Sequence, residues 1–365
     1  MGFNCGIVGL PNVGKSTLFN ALTATATAQA ANFPFCTIEP NVGRVAVPDR
    51  RLERIGAISG SQKVTPTQLE FVDIAGLVQG ASRGEGLGNK FLAHIREVDA
   101  ILHLVRCFAD DGIVHVAGAI DPLRDIDIIE TELMIADLES LERRLAPLTK
   151  RLRSGDREAK DTLPLVERAL TLLREGRPAR LVPVADDERK AFRTLQLLTA
   201  KPVLYVCNVE EDAATGNPLT ERVAARAALE GAASVVISAR IEAELSELAD
   251  PAERAAYLES LGLHEAGLEQ VIHAGYRLLD LITFFTTGPK ESRAWTVRRG
   301  ATAPEAAGAI HSDFERGFIR AETISFADFI DLGGEQAARD AGRMRSEGRD
   351  YVVADGDIML FRFNV

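Results

Sequence analysis

Apolar residues in the first part of the chain fall into short unbroken runs, and further along they recur at helical spacing. Phe3-Asn-Cys-Gly-Ile-Val-Gly-Leu10 reads as a buried strand, and Thr17-Leu-Phe-Asn-Ala-Leu22 as the start of a helix. Leu69-Glu-Phe-Val-Asp73, residues 100–105, Val203-Leu-Tyr-Val-Cys207 and Val235-Val-Ile237 are further runs of strand length, which predicts an α/β sheet domain. Between residues 105 and 203 the pattern changes. Met134, Leu138, Leu141, Leu145, Leu148 and Leu152 step by alternating fours and threes, a heptad seam on a charged helix over 130–152. Gly155 breaks the seam, Ala159, Leu163, Val166, Leu170 and Leu173 resume it, and Gly176-Arg-Pro178 stops it. Two seams with a short Gly-containing link predict an antiparallel helical hairpin inserted into the sheet domain. Pro147 and Pro164 predict kinks or an early stop. Residues 251–263 are polar and alanine-rich, and 265–281 read as a helix. Beyond Ile282 come the strands Ile282-Thr-Phe-Phe285 and Arg293-Ala-Trp295-Thr-Val297, then a helix over 304–312. The end, Tyr351-Val-Val-Ala-Asp-Gly-Asp-Ile-Met-Leu-Phe-Arg-Phe363, reads as two strands around an Asp-Gly turn, and a small β-grasp unit fits this tail.

Composition narrows the class without naming a function. With 46% apolar and 26% charged residues over 365 positions, the chain is an ordinary globular protein of two or three domains. A net charge of −11 argues against a protein held on nucleic acid by bulk charge, and DNA is not an expected partner. Cys5, Cys36, Cys107 and Cys207 are scattered without a CxxC, which disfavours a disulfide scaffold or a cysteine zinc site. No apolar run approaches the ~18 residues of a membrane helix, His103 interrupting the most apolar stretch. Met1-Gly-Phe-Asn4 lacks the basic and apolar parts of a signal peptide, and Gly6 fails the myristoylation pattern. The expected setting is a reducing cytoplasm, away from membranes.

The chemistry begins at Gly9-Leu-Pro-Asn12-Val13-Gly14-Lys15-Ser16-Thr17, a GxxxxGK[ST] loop between a strand and a helix. Glycines let backbone N–H groups turn around phosphate oxygens, and the helix presents its positive end to them. Lys15 then reaches the β- and γ-phosphates, and the Ser16 hydroxyl ligates Mg²⁺. Asp73, at the end of its strand, holds the Mg²⁺ shell, and Gly76 three residues later offers an N–H to the γ-phosphate. Thr37, in the Pro-bracketed segment Asn32-Phe-Pro-Phe-Cys-Thr37-Ile-Glu-Pro40, is a candidate Mg²⁺ ligand that senses the γ-phosphate.

Asn208-Val209-Glu210-Glu211 follows another apolar strand, where guanine-selective proteins carry Asn-Lys-x-Asp. Valine replaces the lysine that packs along the base, and Glu211 replaces the aspartate that accepts from guanine N1–H and N2–H₂. Whether this admits ATP or only weakens GTP stays open on chemistry alone. Ser238-Ala239 complete the base-side set.

The loop Gly9–Ser16 sequence, Asn32-Phe-Pro-Phe-Cys-Thr-Ile-Glu-Pro-Asn41, Asp73-Ile-Ala-Gly-Leu-Val-Gln-Gly-Ala-Ser82 and Gly84-Glu-Gly-Leu-Gly-Asn-Lys-Phe-Leu92 together resemble the YchF family, the Obg-like ATPase branch of the translation-factor GTPases. The resemblance implies a Ras-like P-loop domain of OBG type over 1–127 and 199–280. It implies a coiled-coil hairpin over 128–198 and a β-grasp TGS domain over 281–365. It also implies ATP preferred over GTP, slow Mg²⁺-dependent hydrolysis, and ribosome binding with a role in translation or stress control. Leu77 stands where Ras-like enzymes carry the water-orienting glutamine. His115 matches a histidine of the family pattern and is the candidate catalytic group, while His94 and His103 read as structural. Asn12 resembles the asparagine of cation-activated relatives, making K⁺ a further candidate cofactor. Lys150, Arg151, Arg153, Arg157 and Lys160 near the hairpin tip are either a solvated end or a contact for rRNA or a protein. Two alternatives remain: a GTPase of ribosome assembly, and a nucleotide-gated binding module whose hydrolysis is incidental.

Overall fold

The computed structural model describes residues 3–30, 42–74, 87–109, 120–248 and 250–364, without the side chains of 24–30 and 87–89. Its first strands are β1 (Asn4–Val8), β2 (Val42–Ala46), β3 (Lys63–Thr65), β4 (Gln68–Asp73), β5 (Ala100–Arg106), β6 (Val203–Asn208) and β7 (Ala233–Ile237). Then follow β8 (Leu281–Thr286), β9 (Glu291–Arg298), β10 (Phe318–Ile324), β11 (Arg345–Glu347) and β12 (Ile358–Phe363). Two six-stranded sheets result, in the orders β2-β4-β1-β5-β6-β7 and β11-β10-β12-β8-β9-β3. The chain divides into two compact units, Phe3–Gly43 with Glu70–Gly275, and Arg44–Leu69 with Tyr276–Val365.

In the first unit β1 pairs in parallel with β4 and β5, β5 with β6, and β6 with β7. β5 and β6 are buried at every position, as a parallel sheet covered on both faces requires. The order and direction are those of a doubly wound nucleotide-binding sheet, with ligands expected at the carboxyl ends of the strands. Helix Pro122–Arg153 leaves the sheet with Asp121 at its N-cap and Pro122 at its first position, six residues before the expected hairpin boundary. Neither proline ends a helix: Pro147 sits inside Pro122–Arg153 and Pro164 inside Arg157–Arg174. Leu141, Leu148, Leu163, Val166 and Leu170 close a common core between the two helices, and that packing sustains the helices where the proline lacks its N–H. His103 is buried in β5, as a structural histidine should be, whereas His94 lies exposed on helix Leu87–Glu97. Cys5, Cys107 and Cys207 are free and buried.

The second unit departs from the expected boundaries. Arg44–Leu69, assigned by sequence to the nucleotide domain, belongs with the C-terminal residues. Lys63, Val64 and Thr65 of β3 pair in parallel with Glu291, Ser292 and Arg293 of β9. Leu52 and Ile55 of helix Arg50–Ser59 share a core with Phe285, Phe329 and Ile358. Arg51 clamps the arrangement by bonding both Asp49 and Asp355. β8 and β9 form an antiparallel hairpin, β12 lies parallel beside β8, and β10 pairs antiparallel with β12. Helix Ala303–Ile310 crosses between β9 and β10, giving the connectivity of a β-grasp. The tail is one strand rather than two: Val352 makes only an isolated bridge to Thr302, and β12 begins at Ile358. Asp357 explains this, since it accepts from the Tyr351 hydroxyl and the Ala354 N–H and curls residues 351–357 into a turn.

Candidate functional site

β1 ends at Val8, and residues 9–14 turn the chain into helix Lys15–Ala30. Both glycines of the turn are required by space. A Cβ at Gly9 would lie 2.8 Å from the Leu104 carbonyl oxygen. One at Gly14, where φ is +94°, would lie 2.4 Å from Asn208 Nδ2. Asn12 takes a left-handed φ of 65°, which asparagine tolerates. Leu18 N–H donates to Gly14 O, so the N–H groups of residues 15–17 precede any intrahelical acceptor and stand at the positive helix end.

Lys15 Nζ lies 2.5 Å from Asp73 Oδ1 and 2.9 Å from the Ile74 carbonyl oxygen. The register Ile7↔Asp73 between β1 and β4 places the carboxylate beside the turn. Sequence reasoning had both residues at the site but not their contact with each other.

Asn208 ties the glycine turn to the start of helix Ala239–Glu247. Its Nδ2 donates to Val13 O at 3.0 Å, and its Oδ1 accepts from Ala239 N–H at 2.9 Å. Val209 N–H donates to Ile237 O. Ser238 is buried and caps helix Ala239–Glu247, its Oγ accepting from Ile241 N–H.

These segments enclose a cavity of about 740 Å³, within the range of small-molecule sites. Asn12, Gly14, Lys15, Ser16 and Thr17 line one side, and Asn208, Val209 and Ala239 the other. Val13 and Ser238 are buried and do not line the cavity. Glu211 does not line the cavity; its Oε1 lies 2.5 Å from Arg240 Nε, and Arg240 lines the wall instead. Sequence reasoning missed Arg240 and Phe108, which also lines the cavity. The only signal for Arg240 was its place directly after Ser238-Ala239. Thr37, Gly76 and His115 lie outside the described residues.

Two buried titratable groups lie in the same unit but do not line the cavity. His103 in β5 is held neutral, its pKa lowered to about 3 by burial and by the Arg180 cation. Glu242 accepts from Gly267 N–H at 2.8 Å, yet burial outweighs that bond and raises its pKa to about 7. The folded state therefore binds this proton more tightly than the unfolded chain. Its contribution to stability is complete below pH ~4.5 and is lost as pH rises through 7, a loss of about 3 kcal/mol. Glu242→Gln should flatten that part of the stability profile, measured by urea titration from pH 4.5 to 8; a profile unchanged by the substitution would refute the assignment.

A parallel sheet, a glycine turn that delivers a lysine at a helix N-terminus, and a carboxylate on the neighbouring strand define a P-loop nucleotide-binding protein. Residues 4–140 match the family of 50S ribosome-binding GTPases, and residues 281–364 match the C-terminal domain of YchF GTPases, described as a protein of unknown function. The chain is 58% identical over 365 residues to the ribosome-binding ATPase YchF of Haemophilus influenzae, and 50% identical over 368 residues to that of Bacillus subtilis. Both alignments cover 100% of each chain. The solved structure of the Schizosaccharomyces pombe YchF GTPase superposes with a TM-score of 0.88 at 36% identity, over 99% of this chain and 98% of that one. The chain belongs to the YchF family.

Proposed function

We propose that this protein is a Mg²⁺-dependent ATPase that binds ribosomes and acts as a nucleotide-dependent switch in translation or stress response. The observation that carries the reading is the Gly14–Lys15 cradle, opening on a cavity whose far wall is tied to it through Asn208. The helix N-terminus and the Lys15 ammonium bind and orient the triphosphate. Asn208 fixes the distance between the phosphate and base ends.

Mg²⁺ fits the donors present. Ser16 lines the cavity and Asp73 stands against Lys15, both offering the hard oxygen atoms this ion prefers. When bound, the ion neutralises charge on the β- and γ-phosphates. Lys15 must leave Asp73 for the phosphates, which frees the carboxylate for the metal shell. Thr37 as a metal ligand, Gly76 as an amide donor and His115 as the group that positions water are assignments resting on sequence, as is K⁺ beside Asn12. Leu77 has no hydrogen bond to offer water, which supports slow turnover without a partner.

The β-grasp unit, read as a TGS domain, and the hairpin serve as docking arms. Lys150, Arg153, Arg157 and Lys160 are exposed at the hairpin tip, while Arg151 bonds Asp156 and Glu158. Those cations, on a chain of net charge −11, support an rRNA contact there.

Calorimetric titration of ATP and GTP side by side with Mg²⁺ tests the reading. ATP should bind more tightly, and added ribosomes should raise the hydrolysis rate. Tighter GTP binding, or no heat with either nucleotide, would overturn it.

A further inference from the structure

We propose that Arg240 is the specificity-determining residue at the base end of this site, donating to adenine N1 and excluding guanine by opposing its donors. The inference rests on the ATPase reading above and deepens it.

Guanine presents N1–H and N2–H₂ to a reader and therefore needs an acceptor there, with a donor for O6. In this structure the carboxylate at the aspartate position and the two nearby backbone donors are already engaged. The carboxylate of Glu211, at the position of the guanine-reading aspartate, lies 2.5 Å from Arg240 Nε and does not line the cavity. The Ala239 N–H, a backbone donor at that end, is given to Asn208 Oδ1 at 2.9 Å. The Val209 N–H is given to Ile237 O.

What the wall offers in their place is a guanidinium. Arg240 lines the cavity with 72% of its side chain exposed, and Glu211 and Glu244 flank it, the latter at 3.8 Å. Tyr257 in turn donates its hydroxyl to Glu244. The two carboxylates hold the Nε side of the guanidinium, and the terminal N–H groups remain to be directed at a base. Arginine has five donors and no acceptor. Adenine N1 is an acceptor and meets it favourably. Guanine N1–H and N2–H₂ would meet it donor against donor, leaving polar groups unpaired. The polarity of base recognition is thus inverted relative to an Asn-Lys-x-Asp site. The inversion comes from Arg240 rather than from the Asp-to-Glu change, because Glu211 alone would repel adenine N1.

A chemical double-mutant cycle tests this on the full-length protein. Calorimetry measures ATP, 1-deaza-ATP (which lacks the N1 acceptor) and GTP against the wild type, Arg240→Ala and Arg240→Lys. The wild type should bind 1-deaza-ATP about tenfold more weakly than ATP, the scale of a charge-assisted hydrogen bond. In Arg240→Ala the two adenine nucleotides should bind alike and the ATP-to-GTP affinity ratio should fall about tenfold or more. Arg240→Lys should restore part of the 1-deaza-ATP discrimination. Retention of that discrimination, or an unchanged ATP-to-GTP ratio, in Arg240→Ala would overturn the proposal while leaving the ATPase reading intact. A wild type that prefers GTP would overturn both. Because Arg240 is exposed, thermal melting should stay within a degree or two of wild type.

Discussion

Lys15→Met should weaken ATP binding by roughly 100-fold and abolish hydrolysis, with little change in melting temperature. The size follows from the two or more charge-assisted bonds this ammonium makes to phosphate oxygens, each worth about 1.5–3 kcal/mol. The small effect on stability follows from its position. Lys15 lines the cavity and its partner Asp73 keeps 19% of its side chain exposed, so the freed carboxylate retains contact with water. Calorimetry with ATP and Mg²⁺ checks the first part and circular dichroism the second. Affinity within threefold of wild type would mean that the cradle does not use this side chain.

Arg180→Met should destabilise the nucleotide-binding unit by about 3–5 kcal/mol, the cost of removing one partner from a buried ionic cluster. Arg180 is only 10% exposed and bonds Glu130 at 5% and Glu230 at 7%. Tyr205 adds hydroxyl bonds to the same two carboxylates, at 3.1 and 2.9 Å. Burial pushes Glu130 above the usual carboxylate range. Burial acts the same way on Glu230, but bonds from Arg180 and Arg226 overcome it and hold that group below the usual range. Without Arg180 both carboxylates would sit buried beside one another with too little positive charge. The deficit should therefore shrink below pH ~5 as they take up protons. Adding Glu130→Gln and Glu230→Gln to the variant should recover most of the loss. Denaturant titration at pH 5 and pH 8 measures both effects, and a deficit independent of pH would exclude a charge origin.

The phosphate end was legible in the sequence because its chemistry tolerates few residue types. Gly9, Gly14, Lys15 and Asp73 are fixed by close approach, left-handed backbone and charge, and Lys15 and Asp73 are in contact in the structure. The base end was half legible. Asn208 was identified, but its bonds to Val13 and Ala239 join positions far apart in the chain. Arg240 carries no signal in the sequence beyond its place after Ser238-Ala239, and only its position on the cavity wall gives it a role. The largest misreading concerned Arg44–Leu69. β3 has three residues, too few for a periodic signal, and its partner β9 lies more than 200 positions away. Local pattern carries no trace of such a pairing. Pro147 and Pro164 misled in the opposite direction, since a local rule was overridden by the seam packed against them.

The Arg180 cluster also fixes how motion could reach the hairpin. Glu130 sits near the root of the long helix, and Tyr205 lies on β6, the strand whose last residue is Asn208. Helix Pro122–Arg153 has 32 residues and so a length of about 48 Å at 1.5 Å per residue. From Glu130 to Arg153 the arm is about 35 Å, so a tilt of about 5° about the Glu130 contact carries the far end through roughly 3 Å. Displacements of β6 too small to disturb the sheet would thus arrive at Lys150 and Arg153 magnified to the width of a side chain.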